Sequence, residues 1–247
     1  MKLYIKVDME GVTGIISYTQ TNPDSAEYKF GQHMFMSDLN ALLSGIYYHG
    51  NHEVVIYDMH FDGRNIDLEA IDSRVKVITG KPPLTEKFCY GMEEGFDGLI
   101  LMGFHSMAGN KEGLLNHSYE LDTLSLSIND ISVGEIGIEA ALAGEMDIPV
   151  ALITGDSEGI KEAERLLGEV PTVIVKESKS ESIGLCYSVV ETARKIKEAV
   201  PSALDRLLAK RPKPFLFSPP ITLLVSLSKG SMFDAIRKQF PEKLLDK

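Results

Sequence analysis

Short apolar runs separated by longer stretches of helical periodicity set the rhythm of this chain. The runs Leu3–Val7, Glu53–Tyr57, Val75–Ile78, Gly98–Met102, Val150–Ile153, Thr172–Val175 and Ile221–Leu227 predict strands. Several are continuous rather than alternating, as expected where both faces of a strand are covered. Between them, Asp24–His49 places Phe35, Leu39, Leu42, Leu43 and Ile46 at helical spacing, and Gly50 is a natural stop. Glu158–Leu167 and Glu181–Ala209 also read as helices, the second interrupted at Pro201. Gly134–Glu145 reads as a helix rich in Gly and Ala, able to pack closely on a neighbour. This alternation predicts an α/β fold: a mostly parallel sheet flanked by helices on both faces, in three layers.

Two stretches break the rhythm. In Tyr119–Asn129, Leu121, Leu124, Leu126 and Ile128 stand among polar residues, which predicts a more exposed, antiparallel strand. Lys210–Pro220 holds Pro212, Pro214, Pro219 and Pro220 and reads as a linker. Residues 1–210 are therefore expected to form the main α/β domain. Residues 211–247 are expected to add a small C-terminal extension carrying one further strand and helix.

Charge and cysteine content narrow the function. The 247 residues carry 36 acidic and 25 basic side chains, a formal net charge of −11. That balance argues against a nucleic-acid partner, because phosphate binding needs clustered Lys and Arg. Cys89 and Cys186 lie far apart and form no CxxC pair, so two reduced thiols and a cytoplasmic location are expected. The N-terminus reads as a strand rather than as the apolar core of a signal peptide. No apolar run is long enough to span a bilayer, so no membrane partner is expected. Asn116-His117-Ser118 matches a glycosylation acceptor, which has no use in a cytoplasmic chain.

The candidate chemistry lies where the predicted strands end, the edge at which open α/β sheets bind ligands. After the first run comes Asp8-Met9-Glu10-Gly11, after the second Asp58-Met59-His60, after the fourth Gly103-Phe104-His105, and after the fifth Gly155-Asp156. Side chains two apart point the same way along a strand, so Asp8 joins Glu10 and Asp58 joins His60. Adjacent carboxylates repel unless a cation lies between them. Two carboxylates and two imidazoles on neighbouring strand ends suit zinc or a similar metal. Glu135, opening the Gly/Ala-rich helix, is a third carboxylate able to join.

Asp58 and Asp156 read either as partners that orient such ligands or as turn and helix caps. His33, His49 and His52 read as structural. His117 follows a flexible loop, Ser106–Leu115, and reads either as a general acid/base or oxyanion donor, or as a surface histidine. Gly155-Asp156-Ser157-Glu158-Gly159 matches GxSxG. The last histidine is His117, forty residues before Ser157, whereas a nucleophile-elbow triad needs a later one. The motif therefore reads as a glycine turn and helix cap. No GxxxxGK[ST], GxGxxG or HExxH is present.

Val7–Gly11, Asp58–His60, Gly103–His105, His117-Ser118 and Val133–Gly137 together resemble the DppA-like D-aminopeptidases, in order and at compatible spacings, from Met1 to about Val175. The resemblance implies a metallopeptidase with two zinc ions per chain, held by Asp8, Glu10, His60, His105 and Glu135, with Asp8 bridging them. It implies His117 as the catalytic residue and short peptides with N-terminal D-amino acids as substrates. A homo-oligomer, a ring-like decamer in the family's type member, is implied as well. The loop before His117 is about one residue longer than the family's, and the family continues past Phe233–Phe240 with another strand and helix. A C-terminal piece shorter than the family's is therefore expected. The alternatives are a metal-dependent hydrolase of another amide and a non-catalytic, metal-stabilised oligomer.

Overall fold

The computed structural model describes residues 1–81 and 90–245, so Cys89 lies outside the described residues. Its elements are β1 (Lys2–Val7), α1 (Tyr28–His49), β2 (Glu53–Asp58), β3 (Lys76–Ile78), β4 (Gly98–Phe104), β5 (Thr123–Ile128), β6 (Ile131–Ser132), α2 (Glu135–Glu145), β7 (Val150–Asp156), α3 (Ser157–Leu167), β8 (Thr172–Ser180), β9 (Ile183–Cys186), α4 (Val189–Ala209), β10 (Leu223–Leu227) and α5 (Ser231–Gln239). The main sheet has the order β3-β2-β1-β4-β7-β8-β9. All its pairings are parallel except β8 with β9 at one edge.

Alternation along β1 shows how the three layers form. Leu3, Ile5 and Val7 pack with Phe35, Leu39 and Leu42 of α1 and with Ile196, Val200 and Leu204 of α4. Tyr4, on the opposite face, joins Leu99 and Leu101 of β4, Ile136 and Ala140 of α2, and Ile160 and Ala163 of α3. The mostly parallel, helix-flanked sheet matches the expectation from the pattern.

Two predicted helices differ in detail. Residues Ile183–Cys186, read as helical, form β9 and pair with β8. The helix starts only after Ser188, whose side chain accepts a hydrogen bond from Glu191 N. Pro201 does not interrupt α4, because the buried Ile196, Val200, Ala203 and Leu204 hold the helix on α1 across the proline. The long first helix begins at Tyr28 rather than Asp24, after turns closed by Ser25 N to Asn22 O and Tyr28 N to Ser25 O.

The alternating Tyr119–Asn129 stretch yields β5, which sits outside the main sheet in the antiparallel order β10-β5-β6. The C-terminal strand is thus hydrogen-bonded to the middle of the chain. Ser228 N and Phe233 N also donate to Asp122, through its carbonyl and carboxylate respectively.

Strand order reverses between β1 and β4, since β2 and β3 lie to one side and β4, β7 and β8 to the other. Such a switch point opens a crevice at the carboxyl ends of the strands. Two glycines bring the chain together there. Gly11 N donates to Gly103 O at 2.8 Å, and a Cβ on Gly11 would lie 1.8 Å from the Phe104 carbonyl oxygen. Gly103 has φ +77°, and a Cβ on it would lie 2.2 Å from the Asp8 carbonyl oxygen. Gly103→Ala combines overpacking with left-handed strain and is expected to cost about 2–4 kcal/mol. Urea unfolding measures this, and an unchanged midpoint would contradict the close approach.

Candidate metal centre

Every group predicted for the site arrives at this crevice. Asp8 and Glu10 follow β1, His60 follows β2, His105 follows β4 and Glu135 opens α2. All five are buried. Asp8, Glu10 and His60 bring one donor atom each within 4.8 Å of one another, and so do Asp8, His105 and Glu135. Asp8 is common to both sets. His60 Nδ1 lies 3.0 Å from Asp8 Oδ1 and 3.0 Å from Glu10 Oε2. His105 Nε2 lies 3.3 Å from Asp8 Oδ2 and 3.4 Å from Glu135 Oε1.

Both imidazoles are pinned from behind. His60 Nε2 donates to the Thr21 carbonyl at 2.9 Å, and His105 Nδ1 donates to the Ser106 carbonyl at 2.9 Å. A neutral ring that donates one N–H to a carbonyl keeps a lone pair on the other nitrogen. In both histidines that nitrogen faces the carboxylates, as it does in metal-bound histidines. Asp8 Oδ2, Glu10 Oε2 and His105 Nε2 are buried without a hydrogen-bond partner among the described residues. These atoms, all of ligand type, are shared between the two donor sets around Asp8, an arrangement that fits cations among them.

A family model described as D-aminopeptidase matches residues 1–239. The chain belongs to the D-aminopeptidase family. It is 32% identical over 207 residues to the D-aminopeptidase of Bacillus subtilis (strain 168), covering 83% of this chain and 74% of that protein. Its fold is similar to the solved structure of the Zn-dependent D-aminopeptidase DppA from Bacillus subtilis, a self-compartmentalizing protease. The TM-score is 0.85 at 29% identity, over 93% of this chain and 82% of that one.

His117, the residue that the family resemblance assigns to catalysis, also reaches the site. Its ring stacks on His105 with centroids 4.1 Å apart, and the Tyr18 ring packs edge-on against it at 5.7 Å. Glu10, His105 and His117 form a third set of close donor atoms. The loop before His117 is folded back on itself rather than loose: His117 N donates to Ser106 O, Asn110 Nδ2 to Ser106 Oγ, and Leu114 and Leu115 are buried. His33 is exposed on α1, and His49 bonds to His52 and Asp205, away from the crevice.

Burial works against charge at Asp8, Glu10, His60 and His105, and attraction between the carboxylates and the imidazoles outweighs it. Desolvation opposes an imidazolium at His60, yet Glu10 and Asp8 hold its pKa well above the usual value. Glu135 and Asp8 do the same for His105. Burial would raise Asp8 and Glu10, but the histidines pull both below the ordinary carboxylate range. Metal-free, the site therefore favours protons where cations would bind.

Asp58 and Asp156, ambiguous in sequence, both cap and support. Asp58 accepts from Asn65 N and Nδ2 and from Ile66 N, and Asn65 Nδ2 also donates to the His60 carbonyl. Asp156 caps α3 through Glu158 N and Gly159 N and takes Ser106 N with its other oxygen. The GxSxG match provides the expected helix cap through Asp156, but no glycine turn: Gly155 lies within β7 and Gly159 within α3.

The groups behind Glu135 went unnoticed in the sequence. Lys6, two residues before Asp8, forms a buried ion pair with Glu139, one helical turn past Glu135. Tyr119 ties the pair to the site: its OH donates to Glu139 Oε1 at 3.0 Å and its N–H to Glu135 Oε1 at 2.7 Å.

Glu162 of α3 reaches the N-terminus of α2, where its Oε1 accepts from Gly134 N at 2.7 Å and Gly137 N at 3.3 Å. Its Oε2 is buried without a hydrogen-bond partner among the described residues. Burial pushes this carboxyl up from 4.5 to about 7, against those two N–H groups. With the folded pKa raised, the contribution is full at low pH and is lost as pH rises from about 4.5 through about 7. The loss is on the order of 3 kcal/mol. Unfolding free energies across this range should fall less steeply in Glu162→Gln than in the parent. Parallel curves would contradict the shift.

Proposed function

We propose that this chain is a two-zinc aminopeptidase that releases N-terminal D-amino acids from short peptides. The observation that carries the reading is Asp8, with one oxygen turned to each of two donor sets, each holding an imidazole pinned from behind. Asp8, Glu10 and His60 would hold one ion. Asp8, His105 and Glu135 would hold the other, with Asp8 as the bridge. The three carboxylates offset all but one of the four positive charges of two zinc ions. Two such ions, when bound, supply a water ionised near neutral pH and a Lewis acid for the scissile carbonyl.

The protein's own contribution is proton handling and position. His117 Nδ1 donates to the Leu115 carbonyl at 3.0 Å, which leaves Nε2 to hold or move the reacting proton. From its place against His105, His117 can steady the oxyanion as the amide carbon becomes tetrahedral. It can equally pass a proton to the leaving amine. The stereochemistry and substrate class rest on family membership and on the Bacillus subtilis relatives.

Residues 1–210 carry all these groups and form the catalytic domain in this reading, with 211–247 as a C-terminal addition. Assembly as a homo-oligomer, a decamer, is part of the same proposal. The Bacillus subtilis relative is described as self-compartmentalizing. Leu124, Ile131 and Leu223 of the smaller sheet are 53%, 43% and 56% exposed, apolar surface of the kind subunits cover. No helix among the described residues is long and apolar enough to cross a membrane. Cys186, exposed and free among the described residues, suits a reducing cytoplasm.

The test is hydrolysis of a D-Ala-D-Ala-type dipeptide and its L,L mirror by zinc-loaded protein. Cleavage of the D form alone, stopped by a chelator, is expected. His60→Ala should lose zinc and turnover together. His117→Ala should keep zinc and lose about 10²–10⁴-fold in turnover. Cleavage of both mirror forms, or full activity in His117→Ala, would contradict the reading.

A further inference from the structure

Lys176, near the middle of β8, is fully buried. Its Nζ donates to the carbonyl oxygens of Glu10, Val12 and Ile15, all within 2.9 Å. An ammonium has three donors and no acceptor, so these three carbonyls use its whole capacity. The acceptors belong to one short segment leaving β1, buried from Val7 through Thr13. The segment is rolled around the ammonium by Val12 N to Met9 O and Ile15 N to Val12 O, with carbonyls 10, 12 and 15 turned inward.

A second buried charge grips the same segment through its donors. Asp38 of α1 is fully buried and accepts Thr13 N at 2.9 Å through Oδ2 and Thr13 Oγ1 at 2.8 Å through Oδ1. Helix α1 and strand β8 thus hold residues 10–15 between a cation that takes carbonyls and an anion that takes an N–H and a hydroxyl. Neither Lys176 nor Asp38 belongs to a donor set of the candidate centre. The peptide that Lys176 fixes is nevertheless that of Glu10, whose carboxylate does.

We propose that Lys176 and Asp38 are positioning residues that set the Glu10 carboxylate in the Asp8–Glu10–His60 set and so govern the affinity of that half of the centre. The proposal rests on the two-zinc reading. It follows from the direction of the forces. Without the ammonium, the buried carbonyls of Glu10 and Ile15 lose the donor that Lys176 supplies, Val12 O keeps only Ile15 N, and the segment must turn its peptides to find other donors. The Glu10 side chain turns with them. The other half, His105 and Glu135, hangs on β4 and α2 and has its own support in Tyr119.

The experiment follows stepwise release of zinc from the loaded protein to a competing chelator. The parent should release two ions, and Glu10→Gln identifies the step that belongs to Glu10. Lys176→Met should weaken that same step about 10–100-fold, the usual effect of losing a partner behind a metal ligand, and leave the other step unchanged. Asp38→Asn should weaken the same step, and it carries the test if Lys176→Met does not fold. Val175→Ala, a cavity next to Lys176 in the same strand, should lower the melting temperature and leave both steps as in the parent. Parent-like release in both variants, or equal weakening of the two steps, would overturn the proposal while the two-zinc reading stands. A parent protein that binds no zinc would overturn that reading and the proposal with it.

Discussion

One buried carboxylate, Asp8, faces two imidazoles with its two oxygens, and the rest of the site is arranged around that constraint. Its position follows from the sheet. The strand that leads to Asp8 is central, paired to β2 on one side and β4 on the other. Those two neighbours are the strands whose ends carry His60 and His105. A residue leaving the middle strand at a switch point is the one that can face both neighbours at once, so strand order alone makes Asp8 the shared group.

Holding several ionisable groups in a buried crevice is costly unless each is paired or bound. The molecule meets this with further buried charges one layer out. Lys6 and Glu139 neutralise each other beside Asp8 and Glu135, and Tyr119 joins them to the loop that carries His117. Lys176 and Asp38 do the equivalent for the segment that carries Glu10. The effect of these groups is geometric: Lys176 and Asp38 bind backbone atoms of the Glu10 segment, and Tyr119 links the Lys6–Glu139 pair to Glu135.

Much of this was legible in the amino-acid sequence, for local reasons. Continuous apolar runs marked the parallel strands, and the residues just past them named Asp8, Glu10, His60 and His105. The family resemblance added the assignment of Glu135 as a ligand and the role of His117. The failures were local too. Ile183–Cys186 is too short to separate strand from helix by periodicity, and a cap at Ser188 decided the matter. Pro201 reads as a break until the α1 contact that overrides it is known. The supporting charges were invisible for a different reason. Lys6 meets Glu139 across 133 positions, and Lys176 meets Glu10 across 166. No local pattern encodes such a pairing, and each lysine alone reads as ordinary surface. Only the fold shows that it is buried.

Anomalous diffraction from zinc-loaded crystals, recorded on both sides of the zinc absorption edge, tests the central claim most directly. The account predicts two peaks about 3.5–4 Å apart, the spacing typical of paired catalytic metals. One should lie against Glu10 and His60 and the other against His105 and Glu135, with Asp8 between them. A single peak, or two peaks that do not share Asp8, would contradict it.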